Sequence, residues 1–214
     1  MKFKVCGMKY QDNINAVAEL QPDYLGFIFW KPSSRYFEGR IPDTSDLTKK
    51  VGVFVDAPKE DIVKKVKQHQ LQAVQLHGKE SPEYCLGLRQ LSAKEQQQHM
   101  DIIKVFSVKE DFDFSILKPY ETVCDFYMFD TKGKLPGGNG YTFNWELLKG
   151  YPSTKPYFLS GGIGLESNEK IASFLKTEAA QYCHAIDVNS RFEIKPGLKD
   201  VEKLKTFKKI IVKN

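Results

Sequence analysis

The chain has 214 residues, 41% of them hydrophobic and 28% charged, with a formal net charge of +5. A chain of this size buries a substantial core without disulfides or a structural metal, and no apolar run approaches the length of a membrane span. The Lys residues are dispersed, densest from Lys203 to Lys213, so the concentrated basic stripe of a nucleic-acid binder is missing; a mildly basic balance suits an anionic small molecule. The four cysteines, Cys6, Cys85, Cys124 and Cys183, form no CxxC pair. With an amino terminus that does not read as a signal peptide, they predict a reducing, cytoplasmic setting.

In chain order, residues 2–6 predict a strand that Gly7 breaks. Ile14, Val17, Ala18 and Leu20 recur at helical spacing over 11–20. Residues 24–29 are a continuous apolar strand, followed by the loop Lys31 to Tyr36, where Pro-Ser-Ser stops extension. Residues 43–49 predict a weak helix, and 51–55 a third strand ended by Asp56-Ala57-Pro58. A helix runs from near Pro58 through Ile62, Val63 and Val66, and 73–76 is a fourth strand ended by His77-Gly78. Ser81 and Pro82 open the next helix as N-cap and first residue. The polar stretch Ser92 to Met100 reads as a linker within one domain.

Residues 102–106 predict a fifth strand and 111–118 a poor helix of a turn or two. Residues 125–130 are a sixth strand, ending in the carboxylate of Asp130 and leading to Gly137-Gly138-Asn139-Gly140. Asn144 caps a short helix; 156–160 is a seventh strand ended by Gly161-Gly162; 166–175 is helical. Residues 183–188 are an eighth strand. A last helix, 199–212, carries Val201, Leu204, Phe207, Ile210 and Ile211 on one face.

Eight near-continuous apolar strands alternating with helices predict a parallel sheet covered on its faces. Eight such units close as a compact (β/α)8 TIM barrel, with residues 1–214 a single α/β domain. An open doubly wound sheet would bind a nucleotide through a phosphate loop after the first strand, and Cys6-Gly7-Met8-Lys9 has no such fingerprint.

In a barrel the strand C-termini converge on one mouth. The residues at those ends are Cys6, Arg35, Asp56, His77, Phe106, Asp130, Gly161-Gly162 and Asp187. An acid facing a thiolate suits proton transfer. Lys4, two residues before Cys6, shares its face and points into the barrel, where a carboxylate layer is the alternative partner for its ammonium. Asp56 reads as a turn or cap residue. His77 reads equally as pocket lining or as a hydrogen-bonded structural histidine. His69, His99 and His184 have no partners at metal-ligand spacing, and no metal site is predicted.

Seven motifs, each weak alone, follow one another along nearly the whole chain. They are Lys4-Val5-Cys6-Gly7; Gly26-Phe27-Ile28-Phe29 with Pro32-Ser33-Ser34-Arg35-Tyr36; Val51-Gly52-Val53-Phe54-Val55; Gln75-Leu76-His77-Gly78; Asp130 with the 137–140 glycines; Ser160-Gly161-Gly162-Ile163; and Asp187-Val188-Asn189-Ser190 with Pro196-Gly197. In this order they resemble the phosphoribosylanthranilate isomerase family. The resemblance implies an Amadori rearrangement, the third step from chorismate in tryptophan biosynthesis. In this intramolecular oxidoreduction N-(5-phosphoribosyl)anthranilate becomes 1-(2-carboxyphenylamino)-1-deoxyribulose 5-phosphate. It implies Asp130 as general acid at the ring oxygen, Cys6 as general base at C2′, and no cofactor.

The same resemblance makes Arg35 the partner of the anthranilate carboxylate, a pairing its planar guanidinium makes well; without it, a lone loop Arg reads as a solvated charge. Asp187 either orients the substrate amine or serves a structural hydrogen bond. The phosphate is expected on Gly161, Gly162, Asn189 and Ser190, and the 137–140 loop is a lid or a simple turn. Two departures stand out: Asn189-Ser190-Arg191 where two serines and a glycine are usual, and Asn139 where Thr is common. Arg191 either reaches the phosphate or points into solvent. A donor role requires Asp130 to be protonated when substrate binds, whereas an unperturbed Asp is ionised at neutral pH.

The expected partner is a small phosphorylated substrate, with no nucleic acid and no membrane, in a monomer or a homodimer. An indole-glycerol-phosphate synthase would instead need a catalytic Lys and Glu set. A metal-dependent pentose-phosphate epimerase would need ligands from several strands, and only His77 is suitably placed. A sugar-phosphate-binding barrel without catalysis would have no use for both Cys6 and Asp130.

Overall fold

The computed structural model describes residues 1–45, 47–96, 99–131 and 143–213. Eight parallel strands close into a barrel: β1 (Lys2–Val5), β2 (Tyr24–Ile28), β3 (Lys49–Phe54), β4 (Ala73–Leu76), β5 (Asp101–Val108), β6 (Phe126–Thr131), β7 (Tyr157–Leu159) and β8 (Cys183–Val188). Closure is made by β1, which pairs with β2 on one side and with β8 on the other. The helices α1 (Gln11–Ala18), α2 (Lys59–His69), α3 (Pro82–Gln96), α4 (Asn168–Phe174) and α5 (Val201–Lys213) lie outside the strands. This is the predicted (β/α)8 barrel.

The covering is less regular than eight strand–helix units. Among the described residues no helix follows β2; those of the expected 43–49 helix are irregular chain with a turn closed by Thr48 N–H on the Ser45 carbonyl at 2.9 Å, and β3 begins at Lys49, whose amide bonds to the Asp23 carbonyl at 2.9 Å. Pro42 and a run of short polar residues offer too little apolar surface to dock a helix there. After β5 and β6 the crossovers are 3₁₀ turns, Phe114–Tyr120 and Trp145–Gly150; Pro119 in the first removes a backbone donor. The Asn144 side chain caps the second, accepting from the Glu146 amide at 3.1 Å.

The stretch from Ser92 is not a linker at its start. Helix α3 continues through Gln96, with Cys85, Leu88 and Ser92 buried on one face. Ala93, Lys94, Glu95 and Gln96 are good helix formers, and a polar outer face does not end a helix whose inner face stays packed. Helix α5 starts at Val201, not 199, because Leu198–Lys199 (β10) pair antiparallel with Glu193–Lys195 (β9). Leu204, Phe207 and Ile211 of α5 are fully buried; each contributes about 1.5–3 kcal/mol of apolar burial.

Strand alternation divides the molecule into an outer and an inner core. Outward residues such as Phe3, Val5, Leu25, Val74, Leu76, Phe129 and Ile186 meet the helices. Inward residues Tyr24, Val51, Ala73, Ile103, Met128, Phe158 and Ala185 form a separate apolar plug. One step toward the C-terminal end, the plug gives way to a polar tier. Lys4 is fully buried, and its Nζ lies 2.8 Å from Asp187 Oδ1 and 2.9 Å from Gln75 Oε1. Lys4 and Asp187 are direct cross-strand partners in the β1–β8 register.

Candidate active site

A further step along each strand brings Cys6, His77, Asp130 and Ser160 to the mouth. There they line one cleft together with Arg35, Gly161, Gly162, Asp187, Asn189 and Ser190. Every site residue expected from sequence within the described residues thus borders one cavity. The glycine loop 137–140 lies outside the described residues.

Cys6 and Asp130 are both buried, at 4% and 5% exposure. Gly26 on β2 leaves room for the thiol: a Cβ there would stand 2.8 Å from Cys6 Sγ. Burial pushes the Cys6 thiol above its ordinary range, and Asp187 adds to this, while the charges of Lys4 and Lys199 pull it down without winning. Lys4 itself is pulled down by burial, yet Asp187 and Cys6 more than offset this, so it stays a cation. The resting pair is therefore a neutral thiol beside an ammonium.

Asp130, the penultimate residue of β6, has Oδ1 accepting from the Thr131 amide at 3.0 Å and Oδ2 3.4 Å from His77 Nε2. His77 is thus both pocket lining and hydrogen-bonded. Asp187 faces the cavity with both oxygens engaged, Oδ1 by Lys4 and Oδ2 by the Ser160 hydroxyl at 3.0 Å. Its structural role is explicit. Asp56 is a turn residue with φ 48°, accepting from the Lys79 amide at 2.6 Å.

Arg35 is not a solvated loop charge. Its Nε and Nη2 donate to Glu193 at 2.7–3.1 Å, leaving the far edge of the guanidinium for a second carboxylate. Glu193 also accepts from the buried Lys199 at 2.7 Å. Burial pulls the Lys199 ammonium down to about 8 against the opposing pull of Glu193. Burial would raise Glu193, but hydrogen bonds from Arg35 and Lys199 and their charges bring it below the usual carboxylate range. Lys199 Nζ further donates to Asn189 Oδ1 at 2.7 Å, so Asn189 has its Nδ2 amide left to offer an anion. Gly161 and Gly162 hold φ of 96° and 65°, which a side chain would resist. Arg191 sits at the rim, half exposed, its Nε 3.6 Å from Glu166.

Reading strand ends alone missed Gln75, Ser160, Glu193 and Lys199. For Gln75 the signal was present: two residues before His77 on a strand, it must share the inward face. Glu193 and Lys199 carried no such signal, since their positions depend on the β9–β10 hairpin folding back under Arg35.

A sequence model of the N-(5'phosphoribosyl)anthranilate (PRA) isomerase family matches residues 3–210. The chain belongs to this family. The N-(5'-phosphoribosyl)anthranilate isomerase of Parabacteroides distasonis is 42% identical, over 97% of this chain and 91% of that one. The crystal structure of phosphoribosyl anthranilate isomerase from Thermotoga maritima superposes with a TM-score of 0.81 at 29% identity, covering 100% of both chains. A phosphoribosyl anthranilate isomerase solved in complex with reduced 1-(o-carboxyphenylamino)-1-deoxyribulose 5-phosphate gives a TM-score of 0.75 at 26% identity, again over 100% of both.

Proposed function

We propose that Asp130 is the general acid and Cys6 the general base of the PRA isomerase reaction in this barrel. Isomerisation of N-(5'-phosphoribosyl)anthranilate, a step of tryptophan biosynthesis, is the activity of the family to which the chain belongs. The observation that carries the assignment is that β1 and β6, remote in sequence, bring a thiol and a carboxyl to one cleft that also holds Arg35 and the Gly161-Gly162 pair.

Arg35 takes the anthranilate carboxylate on its free edge, and Gly161, Gly162, Asn189 and Ser190 take the phosphate at the other end. With both ends held, the ribose lies between Cys6 and Asp130. Asp130 gives its proton to the ring oxygen as the C1′–O bond breaks and the amine nitrogen lone pair forms the C1′=N bond. The Cys6 thiolate then removes the C2′ proton; the electrons form C1′=C2′, and the iminium nitrogen recovers its lone pair. The resulting enolamine shifts a proton from the C2′ hydroxyl to C1′ and becomes the ketone. The iminium serves as the electron sink, so the sequence of steps calls for no metal or redox cofactor.

The ligand is a small phosphorylated molecule; no helix among the described residues is long and apolar enough to cross a membrane. Four free, buried thiols support a reducing cytoplasm as the setting. The protein is a monomer or a homodimer, which sedimentation velocity reads directly.

The test is to generate phosphoribosylanthranilate in situ and follow the loss of its fluorescence. Wild type turns over, and Cys6→Ser and Asp130→Asn lose about 10²–10⁴-fold in kcat. Unchanged turnover in Asp130→Asn overturns the acid, and absent turnover in wild type overturns the function.

A further inference from the structure

We infer that Gln75 is a positioning residue that locks His77 as the neutral Nε2–H tautomer and through it aims the Asp130 carboxyl. The inference rests on the assignment of Asp130 as general acid.

Gln75 and His77 are two residues apart at the end of β4, so both point into the barrel. Gln75 is 2% exposed, and its amide spans two groups. Lys4 Nζ stands 2.9 Å from Oε1, and His77 Nδ1 stands 3.2 Å from Nε2. An ammonium has only donors, so the amide must turn its oxygen to Lys4. That leaves the amide NH₂ facing the imidazole, and an NH₂ has no lone pair to accept a proton. Nδ1 must therefore be the unprotonated nitrogen. A neutral ring then carries its proton on Nε2, which faces Asp130 Oδ2 at 3.4 Å.

The direction of the hydrogen bonds from Lys4 through Gln75 to His77 is thus set by the one group whose polarity is fixed, the buried Lys4 cation. Lys4 is itself pinned by Asp187 on β8. The row crosses the barrel from β1 through β4 to β6, so the ammonium that faces the base also orients the support of the acid. The Thr131 amide donates to Asp130 Oδ1, and His77 Nε2 stands 3.4 Å from Oδ2, so the carboxyl is bracketed on both oxygens. A second proton on His77 would put Nδ1–H against the amide NH₂.

Gln75→Glu tests this with nearly unchanged shape. A carboxylate still accepts from Lys4, but it also accepts from the ring, so it calls for a proton on Nδ1. With ¹⁵N-histidine-labelled, ligand-free protein, long-range ¹H–¹⁵N spectra report the state of each ring. His77→Asn assigns the signal among the four histidines. Wild type is expected to show His77 with Nε2 protonated and Nδ1 bare, and Gln75→Glu to show Nδ1 protonated. In the PRA assay Gln75→Glu is expected to lose about 10–100-fold in kcat, the scale of a small misplacement at the reacting centre, with KM within about threefold. Gln75→Met, which takes no part in a hydrogen-bond row, serves as a second variant and is expected to show a mixture of tautomers and a similar kcat loss.

An Nδ1–H or doubly protonated His77 in wild type overturns the inference. So does a Gln75→Glu enzyme that keeps the wild-type tautomer, or one that inverts it with kcat unchanged. The tautomer is read without substrate, so a wild type lacking turnover sinks the proposed function and leaves the row standing. An inactive Asp130→Asn beside a fully active Gln75→Glu sinks only the inference.

Discussion

Cys6 shows how one position combines conflicting pressures. Burial within the barrel mouth protects its proton, and Lys4, immediately below it on the same face, opposes this only in part. The thiolate fraction at neutral pH is therefore smaller than the few per cent of a free thiol. Because the thiol is shifted up, the base becomes more available as pH rises. Alkylation of Cys6 by iodoacetamide should accelerate about tenfold per pH unit from pH 7 to 8, and kcat/KM should rise over the same range. A mass-spectrometric labelling series checks the first, and a rate that is flat with pH would contradict it. Lys4→Met removes the largest charge favouring the thiolate, so its labelling at pH 8 should be slower than in wild type.

At the level of elements, the β9–β10 hairpin does work that its short length hides. Glu193, on β9, neutralises both Arg35 from the loop after β2 and Lys199 on β10, and also accepts from the Gly197 amide at 3.0 Å. One carboxylate therefore sets the angle of Arg35 and the amide orientation of Asn189. Glu193→Ala leaves two cations facing each other in a desolvated site. Removing one member of a buried ion pair costs about 3–5 kcal/mol. Urea unfolding should show that loss in midpoint, and KM should rise more than kcat falls, because Arg35 would bind the substrate but would not enter the chemistry. A midpoint within experimental scatter of wild type would show that the network carries no stability. The element boundaries carry the same lesson as this hairpin. The local pattern predicts a helix over 43–49 and none is present among its described residues, whereas α3 runs past the point where its outer face turns polar. In each case docking against the barrel decided.

For the whole molecule, the apolar plug at the N-terminal end keeps the barrel closed beneath the polar tier, and one histidine is built into its rim. His184 Nε2 lies 2.8 Å from the Tyr24 hydroxyl, with the Phe126 and Phe158 rings at 4.6 and 5.4 Å. Burial and the nearby Lys2 and Lys49 charges push its imidazole down to about 4. The folded state therefore releases its proton before the unfolded state does as pH rises. Between about pH 4 and 6.5 the unfolded chain binds more protons at this site, so stability falls as pH is lowered through that window and is fully present above it. Allowing for partial exposure, the group accounts for ~2 kcal/mol at pH 4. His184→Gln should flatten the fall in Tm between pH 6.5 and 4; an unchanged slope would remove the group from the account.

The periodicity of the chain by itself determined eight strands, their parallel arrangement and the residues at their ends, because side-chain alternation and apolar continuity are local properties. That was enough to place Cys6, His77, Asp130 and Asp187 at one mouth and to recognise the ordered motifs of the family. Only the tertiary structure decided what those residues touch. That Asp187 holds Lys4, that Gln75 faces His77, and that Arg35 is gripped by Glu193 follow from the register of strand pairing and from a hairpin folding back. Ionisation followed the same division: the type of each titratable group is written in the chain, but its proton affinity depends on burial and on charges brought near by closure of the barrel.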